Sequence, residues 1–405
     1  MPLLCWIFTM LTMVCTTGAA EDWNRFRGPG GRGESEATGI PVRWTDADYR
    51  WKIALPGVGD SSPIVVGERL FVTSATEDPP ALTLYCLRTT DGGILWKHAV
   101  AFKPYSKHKL NGYASSTPTA DDRAVYWLWA APENLTAAAF DQADGRPLWR
   151  RDLGPFASQH GFGASPVLCD DLLLVPNDQD GASSLIALDR ATGKTRWIAP
   201  RRTEKTAFST PLVLPGERPQ VVTSSWAHGV SGLDPKTGKT LWELPVFQNR
   251  TVGSPSPAGG LIFASAGEGG VGKQMVAVRP GDPAQGIEAK VAYTITGPLP
   301  YVCTPVARGN LVFLWHDKGI VSCLDAPTGK VHWRERIGGD YFASPIRIAD
   351  RLYCPSRTGE MVVLAASEKY ELLARFPLGE ATNSTPAVAD GKLYLRTVGH
   401  VMAVK

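Results

Sequence analysis

Short apolar runs recur along this chain, each bounded by polar turns, and the same order of elements returns again and again. A representative run, Leu185-Ile186-Ala187-Leu188, leads into a turn from which a strand beginning near a tryptophan departs. That alternation predicts short strands joined by hairpins rather than long amphipathic helices. The turn itself has the form Asp-x-x-Thr/Asp-Gly-x-x-x-Trp. It is complete at Asp141 to Trp149, Asp189 to Trp197, Asp234 to Trp242 and Asp325 to Trp333, and lacks only the first Asp at Arg88 to Trp96. The leading Asp can accept backbone N–H groups and the Gly supplies the positive φ that other residues resist, so the motif specifies a hairpin. The tryptophan after it offers a large ring to the neighbouring repeat.

A second marker precedes each unit: Ser or Thr, then Pro, then a short apolar strand. The prolines are Pro63, Pro118, Pro166, Pro211, Pro255, Pro305, Pro345 and Pro386, at intervals of 55, 48, 45, 44, 50, 40 and 41 residues. Each interval holds four short strands and their turns, the content of a propeller blade. Proline opening a strand is where a sheet tolerates it. The last repeat runs out after the strand around Val401-Met402-Ala403-Val404, one strand short, while Tyr49 to Leu55 supplies an unpaired strand of the missing type. The spacing therefore predicts an all-β, eight-bladed propeller of four antiparallel strands per blade, with the N-terminal strand closing the last blade and removing the exposed edges. The outer strands are expected around Trp51, Trp96, Trp149, Trp197, Trp242, Tyr293, Trp333 and Phe376, with Tyr293 and Phe376 marking degenerate blades.

Composition agrees with this reading: 41 Gly, 32 Pro and 13 Trp accompany only 20% charged residues. The net charge of +3 is spread without a basic run, which gives no electrostatic case for nucleic acid or an acidic membrane surface. Leu3 to Cys15 is apolar and is followed by small residues through Ala20, so residues 1–20 are expected to be a signal peptide and the chain to be exported, periplasmic or extracellular. The stretch is too short to span a bilayer. Residue 14 before Cys15 is Val rather than a small residue, so no lipid anchor is expected. Residues 21–48 then form a leader and 49–405 the propeller. The remaining cysteines, Cys86, Cys169, Cys303, Cys323 and Cys354, show no C-x-x-C pair and read as buried small hydrophobes rather than zinc ligands.

The Asp-x-x-Thr-Gly-x-x-x-Trp turn resembles the repeat shared by quinoprotein alcohol dehydrogenases and the BamB lipoprotein of the outer-membrane β-barrel assembly machinery. The leader Asp22-Trp23-Asn24-Arg25-Phe26-Arg27-Gly28-Pro29-Gly30 is similar to the opening of a group of bacterial quinone-repeat-like propellers. The resemblance covers residues 49 to 405 and implies the propeller fold, but the superfamily contains enzymes and non-enzymes alike. In its dehydrogenases pyrroloquinoline quinone lies over the ring axis with calcium, beneath a disulfide of adjacent cysteines. No adjacent cysteines occur here and no calcium ligand set or catalytic Asp matches, so neither quinone nor calcium is expected and no catalytic or metal residue is assigned.

Segments leading into the innermost strands should surround one mouth of the channel. They bring His108, Asn111 and Tyr113, then His160 and Phe162, then Arg201 and Arg202, then Tyr301 and Tyr341 as candidate binding residues, with Asn383 beyond them. Aromatic and hydrogen-bonding groups converging on one rim suit an extended peptide or a sugar. The expectation is a non-catalytic envelope or secreted scaffold, loosely BamB-like, with a saccharide or small-ligand module and a quinone-dependent dehydrogenase as alternatives. Asn177 to Gly181 lacks the closing acid of a calcium loop and reads as a polar hairpin turn, and Gly267 to Gly272 lacks the helix of a phosphate cradle, so no nucleotide site is expected there.

Overall fold

The computed structural model describes residues 22–131 and 134–405; the expected signal peptide lies outside the described residues. Eight sheets surround an axis, seven of four strands and one of five. The prediction of eight blades holds, including closure: Tyr49–Ala54 pairs antiparallel with His400–Val404 and completes the eighth blade. In every blade the innermost strand starts directly after the marker proline, as in Ile64–Val66, Val167–Cys169 and Ile346–Ile348.

Burial follows position in the blade. Middle strands such as Ala124–Ala131 are covered on both faces by neighbouring blades and are buried almost throughout, which is why they read as continuous apolar runs. Outer strands such as Ile94–Ala101 alternate between exposed and half-buried positions.

The two sequence markers prove to be contacts between blades. The indole Nε1 of Trp51, Trp96, Trp149, Trp197 and Trp333 each donates to a carbonyl in the turn of the following blade, at Thr89, Gln142, Arg190, Pro235 and Ser367. Gly193 shows why the turn needs glycine: its φ is +68°, and a Cβ there would lie 2.7 Å from the Trp149 ring. Trp242 departs from the pattern, donating to Gln220 Oε1 of its own blade, because the next turn is built differently around Pro283–Gln285. The Tyr293 hydroxyl donates to Ala326 O in the role of the missing indole, and Phe376 packs edge-on against Trp44 at 4.5 Å.

The Ser/Thr before each proline forms a belt. The backbone N–H of Ser62, Thr117, Thr210, Ser254, Thr304, Ser344 and Thr385 each donates to the marker hydroxyl of the next blade, at 2.9 to 3.1 Å, and the last link returns from Thr385 to Ser62. Among the described residues the circle breaks once, between Ser165 and Thr210.

The leader enters the channel. Trp23 exchanges backbone hydrogen bonds with Val65, Asn24 O accepts from Ala120 N, and Glu34–Ser35 adds a parallel fifth strand to the inner edge of blade seven. Two arginines go in with it. Arg27 is 1% exposed and donates to the carbonyls of Gly31, Arg32, Thr304, Pro305 and Pro345. Arg25 is also buried, but among the described residues it donates only from Nη2 to Pro211 O. The five cysteines are all buried and unbridged. Among the described residues no helix is long and apolar enough to cross a membrane.

Candidate binding face

Strand direction decides which segments share a face. Because the strands within a blade alternate, the connections into each innermost strand and the hairpins between second and third strands open on one mouth. The Asp-x-x-Thr-Gly turns open on the other.

On the loop mouth, His108, Asn111 and His160 come together. The two imidazoles stack 5.3 Å apart and 9° from parallel, and Asn111 Nδ2 donates to the carbonyls of His160 at 2.7 Å and Phe162 at 3.3 Å. Arg250, from the connection before Pro255, which contributes none of the candidates chosen from sequence, places Nη1 2.9 Å from His160 Nε2. A guanidinium can only donate, so His160 Nε2 accepts. Burial, Arg250 and His108 together hold the His160 pKa below its ordinary value, keeping the ring neutral. Tyr113 donates to Tyr105 O at 2.8 Å and lies against the rings of Phe102 and Tyr105.

The other candidates stand apart. Phe162 is buried edge-on against Phe156 at 5.2 Å. Arg201 is spent inside the barrel wall: Nε pairs with Asp178 at 2.7 Å, and its other nitrogens donate to Thr223 and Ser225. Arg202 points outward, its side chain 71% exposed and paired with Glu243 at 2.5 Å. Tyr301 is buried below the rim, its N–H held by Asp317 at 2.7 Å. Tyr341 is fully buried, edge-on to Trp315 at 5.4 Å. The Asn177 to Gly181 segment is a hairpin, as expected, and Gly267 to Gly272 also forms one, turning at Gly269-Gly270.

Three cation and aromatic pairs that the sequence did not single out lie on the same rim. Lys107 Nζ sits 4.8 Å from the Tyr113 ring centre, Lys205 Nζ 5.0 Å from Trp226, and the Arg357 guanidinium 4.5 Å from Phe342. Trp226 and Arg357 belong to hairpins between second and third strands, which share the loop mouth only because of strand parity. Nearer the axis, Asn383 joins Asp60 and Arg357: its Nδ2 donates to Asp60 Oδ1 at 3.0 Å and its Oδ1 accepts from Arg357 Nε at 3.2 Å. Burial raises the Asp60 pKa against the opposing pull of Asn383, Arg396, Lys107 and Arg357. Arg396 is 2% exposed, and its guanidinium has no hydrogen-bond partner among the described residues. Burial lowers its pKa to about 10.

The fold and its interblade tryptophan contacts define an eight-bladed propeller of quinoprotein-type repeats. Its relatives are diverse. The family model described as "Outer membrane protein assembly factor BamB" matches residues 83–302 and 294–405, and the chain belongs to that family. Over 162 residues it is 27% identical to a polyvinylalcohol dehydrogenase of a Pseudomonas species, covering 36% of this chain and 24% of that protein. Over 242 residues it is 24% identical to a tetrathionate hydrolase of Acidithiobacillus ferrooxidans, covering 57% and 46%. The chain thus spans less than half the length of these curated relatives. Among solved structures, a europium-containing methanol dehydrogenase superposes with a TM-score of 0.70 at 13% identity, over 94% of this chain and 90% of that one. BamB from Moraxella catarrhalis superposes with a TM-score of 0.64 at 16% identity, over 87% and 95%. At such identities the structural likeness concerns the fold.

The residues at the loop mouth do not fit the quinone and calcium that the dehydrogenase branch implies. Calcium takes six to eight oxygens. Here Asp60 is a half-buried carboxylate near the axis, the neighbouring amide turns its NH2 toward it, and Lys107, Arg357 and Arg396 all favour its charged form. A divalent cation would meet three positive charges. Among the described residues no three His, Cys, Asp or Glu side chains are grouped to hold a metal.

Proposed function

We propose that this protein is a non-catalytic, exported scaffold that engages a protein partner of the cell envelope through its loop mouth. The observation that carries this reading is the set of three cation and aromatic pairs on one rim, Lys107 with Tyr113, Lys205 with Trp226 and Arg357 with Phe342. Aromatic and arginine side chains held on a rigid frame are what protein interfaces use as anchors, since little freedom is lost when they are covered. His108, Asn111, Tyr113, His160 and Arg202 would add polar contacts around them. Phe162, Arg201, Tyr301 and Tyr341 would shape the rim from beneath. BamB-family membership supports the scaffold role, and residues 1–20 support export.

The test is capture from an envelope fraction by the purified propeller, followed by affinity measurement on the identified partner. Changing Trp226→Ala together with Arg357→Ala is expected to weaken that affinity about thirtyfold or more, the effect of losing about 2 kcal/mol of anchoring. The melting temperature should hardly move, because both residues are rim positions. Equal capture by the variant would defeat the reading, as would dye reduction on addition of quinone, calcium and an alcohol.

A further inference from the structure

The two leader arginines are buried two residues apart in the same channel, yet their surroundings differ. Arg27 has five carbonyl acceptors, enough to absorb the donor capacity of a guanidinium. Arg25 is 6% exposed and, among the described residues, makes one hydrogen bond and has Nε buried with no partner. No carboxylate pairs with it among the described residues. Its pKa falls to about 10 because burial dominates, with only the Cys169 thiol opposing. A buried guanidinium with unclaimed donors is costly unless an acceptor arrives.

The acceptor has room. Arg25 lines an open cleft of about 550 Å³ between the leader and the inner ends of neighbouring blades, on the mouth opposite the loop rim. This is the size range of small-molecule sites. Asn24 and Arg32 add polar groups to its wall, while Pro29, Leu168 and Val213 add an apolar side. Two acidic residues also line it, Glu34 and Glu36, but both are engaged by Arg347 Nη2, at 3.4 and 2.5 Å. Arg347 and Arg32 together offset these two carboxylates, since both act on Glu34. Arg25 is left as the arginine of the cleft with no carboxylate beside it. Gly31 packs over the Arg25 guanidinium so closely that a Cβ would lie 3.0 Å from Nη2, which fixes the group in place.

We propose that this cleft is a binding site for a small organic carboxylate with an apolar body, the carboxylate received by Arg25 and the body lying against Pro29, Leu168 and Val213. The site is separate from the scaffold rim and stands whether or not that rim binds a partner. Charge-assisted hydrogen bonds to a desolvated guanidinium make the carboxylate the recognised group, and the apolar wall distinguishes such a ligand from chloride or sulfate.

The test uses the full mature chain and a probe pair of equal shape, benzoate and benzyl alcohol, with hexanoate and hexanol as a second pair. Calorimetry or ligand-observed NMR is expected to detect the carboxylates and not the alcohols. Arg25→Met, which keeps the length of the side chain and removes the uncompensated charge, should weaken carboxylate binding at least tenfold while leaving the chain folded. Val213→Trp fills the apolar wall without touching Arg25 and should weaken binding by a similar factor. If Arg25→Met fails to fold, Val213→Trp decides alone. Equal binding of acid and alcohol, undiminished binding by both variants, or no binding of either acid by the unmodified chain would overturn the proposal.

Discussion

The two mouths of the channel satisfy buried polar groups in opposite ways. At the leader mouth the donors are arginine side chains and the acceptors are backbone carbonyls of the ring, as at Thr304, Pro305 and Pro345 under Arg27. At the loop mouth the roles are reversed, and side chains such as Asp317 accept from backbone N–H groups of a connection, those of Tyr301 and Val302. The first arrangement fastens one segment to many blades. The second fastens each connection to its own blade and leaves rim side chains free to vary. A mouth of the first kind is built for closure, and one of the second kind is suited to recognition.

Deleting residues 21–56 is the harshest way to probe the contrast, because it removes both the leader and the strand that completes blade eight. The edge of His400–Val404 is then exposed, and aggregation or loss of cooperative melting is expected by size-exclusion chromatography and calorimetry. A truncated monomer melting like the full chain would show that neither mouth depends on closure. Arg27→Met isolates the leader mouth. It strands several buried carbonyls at once and should cost roughly 4 kcal/mol in urea unfolding. A loss under about 1 kcal/mol would mean that the leader rests on the ring without fastening it.

Asp317 offers a pH test of the loop mouth. Burial raises its pKa from 3.8 to about 6, outweighing the backbone N–H groups that favour its charged form. A raised carboxyl pKa means that the folded state holds the proton more tightly than the unfolded chain. The stability it contributes is complete below about pH 4 and is lost as pH rises through about 6. Relative to Asp317→Asn, the unmodified protein is expected to lose stability on the order of 3 kcal/mol between pH 4 and pH 7. Parallel stability curves for the two proteins would show that this carboxylate is not desolvated as its burial implies.

Much of the candidate face could be located from sequence but not sorted. His108, Asn111 and His160 were marked as a rim group by their place before Pro118 and Pro166, and they do meet. Tyr341 and Arg201 carried the same mark, yet one is fully buried and the other is consumed by Asp178, Thr223 and Ser225. Nothing local distinguishes an exposed arginine from one that closes an ion pair with a residue 23 positions away. Trp226, Arg357 and Arg250 were overlooked for a related reason. Two of them join the rim through hairpins between second and third strands, and the third stands before Pro255 in a connection with no aromatic or histidine residue beside its marker to draw attention to it.

The sequence by itself determined the number of blades, the order of strands and the closure, because these depend on local spacing: a hairpin every repeat, a proline at each strand start, and one strand too few at one end balanced by one too many at the other. Only the tertiary structure decided what the markers are for. The hydroxyl before a marker proline accepts from the preceding blade at seven of the eight positions, and the turn glycine is bare to admit that blade's indole ring. The fate of Arg25 and Arg27 was also decided there. Two arginines two residues apart look alike in a sequence, and their difference depends on which carbonyls the closed ring brings within reach, since a hydrogen bond requires an acceptor within about 3 Å and the chain supplies those acceptors from nearly three hundred residues away.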